Sequence, residues 1–145
     1  MKLISHRGNI DKIDPYKENT KAYITDAIQL GYDAEIDLRF IGNQLFLGHD
    51  NPVEEINFRW LYDNKNNLWL HCKNIETLIF LKDDFNCFYH TTEDYVLTSQ
   101  GFIWSYSGIK LYPDVIAVLP ENHKYDKKDL NNCFGICSDL ITNYK

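Results

Sequence analysis

No run of Lys or Arg interrupts this sequence, and no apolar stretch approaches the ~20 residues that a helix needs to cross a bilayer. The chain carries 15 basic and 21 acidic residues for a net charge of −6. The first absence excludes long-range attraction of nucleic acid, so an anionic partner has to be drawn in by a local cation or a metal ion. The second leaves no helical membrane span within these residues, and neither nucleic acid nor membrane is expected as a partner. Cysteines number only four, Cys72, Cys87, Cys133 and Cys137. Cys133 and Cys137 form a C-x₃-C spacing with no second pair nearby, which does not suit structural zinc. No stretch reads as a signal peptide, so the cysteines are expected to be reduced and buried, and the protein cytoplasmic. With no repeat, linker or low-complexity segment, residues 1–145 are expected to form a single domain.

What is present is an ordinary core composition, 44% hydrophobic, with ten Tyr and eight Phe. A domain of this length buries roughly 70% of its unfolded surface, and aromatic rings fill volume that short helices leave open. Lys2–Ser5 reads as a short apolar strand ending in His6-Arg7-Gly8. Asn19 or Thr20 is placed to cap a helix running through Ala22, Tyr23, Ala27, Ile28 and Leu30, and Gly31 to stop it. Between Asp33 and Ile41 the period is two: Ala34, Ile36, Leu38 and Phe40 alternate with Glu35, Asp37 and Arg39. This is a strand with Glu35, Asp37 and Arg39 on one face. Gly42-Asn43 turns the chain into a return arm over 44–47 that delivers His49-Asp50.

Residues 51–67 read as a loop with one short helix, and Leu68–Cys72 as a third strand with Lys73 at its end. Asn74 is expected to cap a helix to about Lys82. Further strands are expected over 86–90, 102–105, 115–119 and 134–138, with a helical turn somewhere in 122–132. Val115–Leu119 is the most continuously apolar of them, as a buried parallel strand should be. Strands alternating with short crossovers argue for a mostly parallel α/β sheet. A full (β/α)₈ barrel usually takes ~250 residues. The expected fold is therefore a reduced, TIM-barrel-like (β/α) barrel with shortened or missing outer helices.

Chemistry-bearing residues fall at the strand ends. Cleaving a phosphodiester takes one proton from the nucleophile and gives one to the leaving oxygen, and two histidines, His6 and His49, have the pKa for both tasks. Arg7 offers a bidentate fork and Lys73 a point charge for the phosphoryl oxygens. Glu35 and Asp37, two apart on a strand, point to one side and can chelate a hard cation. His71 stands beside Lys73 at a strand end. His90 ends the next strand, where it would touch substrate or cap a loop, and Glu18 reads as an acid near the site.

The order His6-Arg7-Gly8, Glu18-Asn19-Thr20, Glu35-x-Asp37, Gly48-His49-Asp50 resembles the glycerophosphodiester phosphodiesterase family, within the larger group that includes phosphatidylinositol-specific phospholipases C. His71-Cys72-Lys73 is similar to that family's third-strand phrase, which ends in Glu-x-Lys, and Gly135–Asp139 to its closing strand. The resemblance implies a TIM barrel with its site at the C-terminal strand ends. It also implies metal-dependent hydrolysis of a small glycerol phosphodiester, with His6 and His49 as general base and general acid. Arg7 and Lys73 would hold the phosphate, and Glu35 and Asp37 would hold Mg²⁺ or Ca²⁺. The chain departs from the pattern at His71, where the family has a third metal carboxylate. Imidazole shifts the preference toward Mn²⁺ or Zn²⁺ if His71 is a ligand. The segment that helps hold the glycerol moiety in the family is missing too. Rival readings keep the scaffold and change the substrate to a sugar- or nucleotide-linked diester, or leave a catalytically weak anion-binding module.

Overall fold

The computed structural model describes residues 1–145. Ten strands are formed: β1 (Lys2–His6), β2 (Asp33–Ile41), β3 (Gln44–Leu47), β4 (Glu54–Ile56), β5 (Leu68–Cys72), β6 (Cys87–Phe88), β7 (Tyr95–Leu97), β8 (Ile103–Ser105), β9 (Val115–Val118) and β10 (Gly135–Ser138). Four α-helices join them: α1 (Lys21–Gln29), α2 (Phe58–Asp63), α3 (Ile75–Leu81) and α4 (Lys127–Asn132). Thr20 holds the N-cap position of α1, and Gly31 follows its end at φ +89°, the left-handed conformation expected of a terminating glycine. The Asn74 side chain caps α3 by accepting from the Thr77 N–H.

The parallel core runs in the order β6-β5-β2-β1-β10-β9-β8, and β7 adds an antiparallel edge to β8. The C-terminal half of β2 also carries an antiparallel meander of β3 and β4. After β7 the Ser99 N–H donates to the Cys87 carbonyl at 2.8 Å, which ties that loop back to β6.

This architecture corrects the expected TIM-barrel-like (β/α) barrel. The chain forms a mixed ten-stranded sheet curled into a half-barrel with few helices, not a ring of βα units. The reason lies in the connections. A parallel crossover of a dozen or more residues has room for a helix that packs back along its strand. Residues 106–114, between β8 and β9, contain no helix, and the passage from β6 to β8 is occupied by strand β7 instead. The fourth expected strand shrinks to Cys87–Phe88, β4 appears where loop was expected, and β7 is a strand that the sequence reading does not include.

Both faces of the sheet are buried, as expected of parallel strands. Ala34, Ile36, Leu38, Leu68, Leu70 and Cys87 pack with Ile24 of α1 and Leu81 of α3 in the larger core cluster. Ile4, Trp69, Phe88, Trp104, Ile116 and Cys137 form a second cluster that fills the inside of the curl. Ile4 and Trp69 sit two residues before His6 and His71, so the period of two carries the histidines on the same inward side, above the core. No helix is long and apolar enough to cross a membrane.

Candidate functional site

A cavity of about 500 Å³ opens above that inner cluster, at the C-terminal ends of the parallel strands. His6, Arg7, Glu35, His49, His71, Lys73 and His90 all line it. Register explains part of the convergence. His6 pairs with Glu35 across β1 and β2, and Asp37 pairs with His71 across β2 and β5. Asp37 lies fully buried beneath the cavity, and Glu18 stands one layer behind it.

β1 ends in a turn made of two left-handed residues, Arg7 at φ +54° and Gly8 at φ +91°. A Cβ at Gly8 would meet the Tyr23 ring at 2.9 Å. A left-handed arginine is strained by about 1–2 kcal/mol. Two carboxylates flank the Arg7 guanidinium in this turn: Nε lies 3.0 Å from Asp37 Oδ2 but off line for a hydrogen bond, and Nη1 donates to Glu18 Oε2 at 3.4 Å. Asn9, fully buried, donates to Glu18 Oε1 and Asp139 Oδ1, both at 2.7 Å. Asn19 is not the cap of α1. Its amide brackets Asp37 instead, donating to Oδ2 and accepting from the Asp37 N–H, both at 2.9 Å.

His6 Nδ1 lies 2.7 Å from Asp139 Oδ1, and Nε2 lies 3.9 Å from Glu35 Oε2. Burial works against the imidazolium, but the Asp139 bond and the Glu35 and Asp139 charges prevail and raise the His6 pKa above 6.5. Burial likewise opposes the charged form of Asp139. The bond to His6 and the Asn9 amide outweigh it and hold Asp139 below the ordinary carboxylate range. Sequence reasoning leaves Asp139 outside the proposed set; its signals are its place just after the last strand and the similarity of Gly135–Asp139 to the family's closing strand.

Glu35, Asp37 and His71 offer ligand atoms that all lie within 4.8 Å of one another. Buried Glu35 Oε2, Asp37 Oδ1 and His71 Nε2 each lack a hydrogen-bond partner. His71 Nδ1 comes to 3.0 Å of Asp37 Oδ1 but off line for a hydrogen bond, and Lys73 Nζ stands 3.7 Å from the same oxygen. The two carboxyls are driven apart. Burial, then the Asp37 charge, pushes Glu35 up. Asp37 is equally buried, yet His71, Arg7 and Asn19 hold it down. A buried carboxyl short of positive charge beside two unpartnered ligand atoms fits a divalent cation, whose charge would reverse the rise at Glu35. The O, O, N donor set suits Mn²⁺ or Zn²⁺ better than Ca²⁺.

His49 arrives on the turn after β3. The Arg39 guanidinium, on the same face of β2 as Glu35 and Asp37, donates to the carbonyls of Gly48, His49 (2.6 Å) and Asp50 (3.0 Å). Gly48, at φ +139°, has no room for a side chain: a Cβ would sit 2.0 Å from the Asn51 carbonyl oxygen. His49 Nδ1 lies 2.7 Å from Asp50 Oδ1, and the ring is 40% exposed at the rim. Nothing in the local pattern marks Arg39 as the clamp of this turn.

His90 stacks on His71 at 4.8 Å, and His71 on Phe88 at 5.1 Å. Burial, with His71 and Lys73 adding to it, lowers the His90 pKa to about 4. Trp104, Ser105, Tyr106 and Ser107 complete the far wall. No protein-family model, no curated protein and no solved structure matches this chain.

Proposed function

We propose that the chain is a metal-dependent phosphodiesterase that hydrolyses a small diester of the glycerophosphodiester type. The reading rests on one observation: His6 and His49, from separate strand ends, line one cavity together with Arg7, Lys73, Glu35 and His71.

Asp139 accepts the Nδ1–H of His6, which leaves the Nε2 lone pair free on the Glu35 side. His6 is thus the general base that takes the proton of the attacking hydroxyl or water, and its raised pKa strengthens it for that task. His49, at the rim beside Asp50, gives a proton to the leaving oxygen. Arg7 and Lys73 hold the phosphoryl oxygens, where negative charge grows in the transition state. Glu35, Asp37 and His71 would hold the divalent cation, Mg²⁺ or Ca²⁺ by resemblance and Mn²⁺ or Zn²⁺ by donor set. When bound, it supplies Lewis-acid stabilisation of a phosphoryl oxygen. Glu18 and Asn9 brace Arg7 and Asp139 from behind. A reducing, cytoplasmic compartment belongs to the same proposal, supported by four buried cysteines that form no disulfide.

The test is hydrolysis of bis(p-nitrophenyl) phosphate and glycerophosphocholine with Ca²⁺, Mg²⁺, Mn²⁺ or Zn²⁺, comparing wild type with His6→Ala and His49→Ala. Each substitution is expected to lower kcat by about 10²–10⁴. Activity that survives both overturns the acid–base assignment. Absence of any turnover, with phosphate still bound, identifies an anion-binding module instead.

A further inference from the structure

The cavity is chemically divided. Its cationic half comes from the ends of β1 and β5, with Arg7, Lys73 and His6 gathered over Glu35. The other half, from the ends of β8 and β9 and the loops beside them, carries no charged side chain. A diester lying across such a cavity puts its phosphate on the cations and one of its two alcohols on the uncharged wall. Resting on the diesterase reading above, we infer that this wall selects a neutral, polyhydroxylated ring as the leaving alcohol, a hexose-type group in place of a choline or ethanolamine.

Three features carry the inference. The wall presents Tyr106 and His90 to the cavity, with buried stacked rings packed behind them. His71 lies between Phe88 and His90, nearly parallel to both, and Phe88 stacks on Trp104 at 4.6 Å. Tyr106 packs perpendicular to His90 with centroids 6.0 Å apart, yet remains 46% exposed at the cavity. A sugar ring has an apolar face of C–H groups suited to such an aromatic platform.

The platform is also edged with groups that seek hydroxyls. His90 Nδ1 is buried without a hydrogen-bond partner. In either tautomer it is satisfied by a hydroxyl, which donates and accepts. The Ser107 hydroxyl, held at 2.8 Å by His123 Nε2, lines the same wall, as does Thr91. A plain aryl group would leave His90 Nδ1 unpaired, at the cost of a buried polar atom.

Charge decides against an ammonium. The only carboxylate lining the cavity is Glu35, buried on the opposite side among His6, Arg7 and His71. A choline or ethanolamine head on this wall would face Lys73 and Arg7 across the cavity with no carboxylate in the lining beside it; Glu93, which accepts from the Thr91 N–H at 2.8 Å, lies outside the lining.

The experiment compares kcat/KM for glycerophosphocholine, glycerophosphoethanolamine and a glycerophosphoryl hexose, which share phosphate and glycerol and differ only in the alcohol. Wild type is expected to prefer the hexose diester by about tenfold or more, the scale of one good aromatic contact. Tyr106→Ala, and His90→Phe, which retains a ring but removes Nδ1, should each cut the hexose-to-choline ratio about fivefold or more. The ratio is internal to one preparation, so partial unfolding of a variant does not move it. Equal or faster cleavage of the choline diester, or a ratio unchanged in Tyr106→Ala, overturns the inference while leaving the diesterase reading intact. If wild type cleaves none of the three, the diesterase reading fails, and calorimetric binding of hexose 1-phosphate against phosphocholine decides the wall separately. Tighter hexose phosphate, weakened by Tyr106→Ala, supports it; the reverse order overturns it.

Discussion

Asp139 Oδ1 lies 2.7 Å from His6 Nδ1 and joins the end of the last strand to the end of the first. The adjacency comes from sheet pairing, with Ser5 opposite Ser138 across β1 and β10. Asn9 donates to the same carboxylate oxygen and fixes its rotamer. The pair orients His6 in the cavity, as a carboxylate bonded to the far ring nitrogen orients a metal-binding imidazole elsewhere.

Asp139→Asn tests that relationship. The amide keeps the shape but removes the charge and disturbs the tautomer, so kcat should fall by about 10²–10⁴. The pH profile carries the sharper signal. A general base works deprotonated, and the Asp139 carboxylate favours the protonated imidazole, so it shifts the acidic limb of kcat/KM to higher pH. Without Asp139 that limb should move to lower pH. A limb that stays in place while kcat falls would mean that His6 is not the titrating base.

His71→Glu restores a carboxylate where the chain leaves its resemblance. Three carboxylates suit harder cations than two carboxylates and an imidazole. The ratio of Mg²⁺- or Ca²⁺-supported to Mn²⁺-supported activity should rise about tenfold, and calorimetric metal affinities should change in the same sense. Unchanged ratios and affinities would remove His71 from the ligand set.

Arg39→Met frees the turn that carries His49, by deleting the donors to three backbone carbonyls. We expect a loss of about 1–3 kcal/mol in chemical denaturation. Because a displaced proton donor harms the chemical step more than binding, kcat should fall about 10–100-fold with KM nearly unchanged. Arg39→Lys, with one donor group, should recover part of kcat. A variant that loses stability but keeps kcat would make Arg39 a structural clamp only.

His90 sets a pH dependence of stability. Its folded pKa of about 4 lies below the ordinary imidazole value of 6.5, so the folded state favours the neutral ring. The unfolded chain binds the proton first as pH falls, and stability present above 6.5 is lost progressively down through about 4. His90→Phe should therefore flatten the acid limb of Tm between pH 7 and 4.5. The difference should be on the order of 1 kcal/mol once solvent screening of a half-exposed ring is allowed for. Parallel Tm curves for the two proteins would remove His90 as the source. Asp139 contributes in the same direction at lower pH, since its folded pKa is depressed and its stabilisation is lost as pH falls through that value.

Much of the candidate site was legible locally. The alternation over 33–41 is a period of two, and it places Glu35, Asp37 and Arg39 on one face whatever surrounds them. The breaks at Gly8, Gly42 and Gly48 put His6 at a strand end and His49 just past one. Burial of Glu35 and Asp37 was not legible, because the same alternation serves a wet face as well as a dry one.

By itself, then, the sequence determined where strands begin and end around the site, which side chains share a side, and which chemistry they bring. Tertiary structure decided the rest. Whether parallel strands close into a ring of βα units or curl as a mixed half-barrel depends on how short crossovers are absorbed, and β7 in place of a helix absorbs one of them. Asn19 turning from helix cap to Asp37 bracket, Arg39 clamping the His49 turn, and Asp139 reaching His6 all depend on strand neighbours and register. No local pattern encodes them, because pairing energy is the same for many partners and only the packed core selects among them.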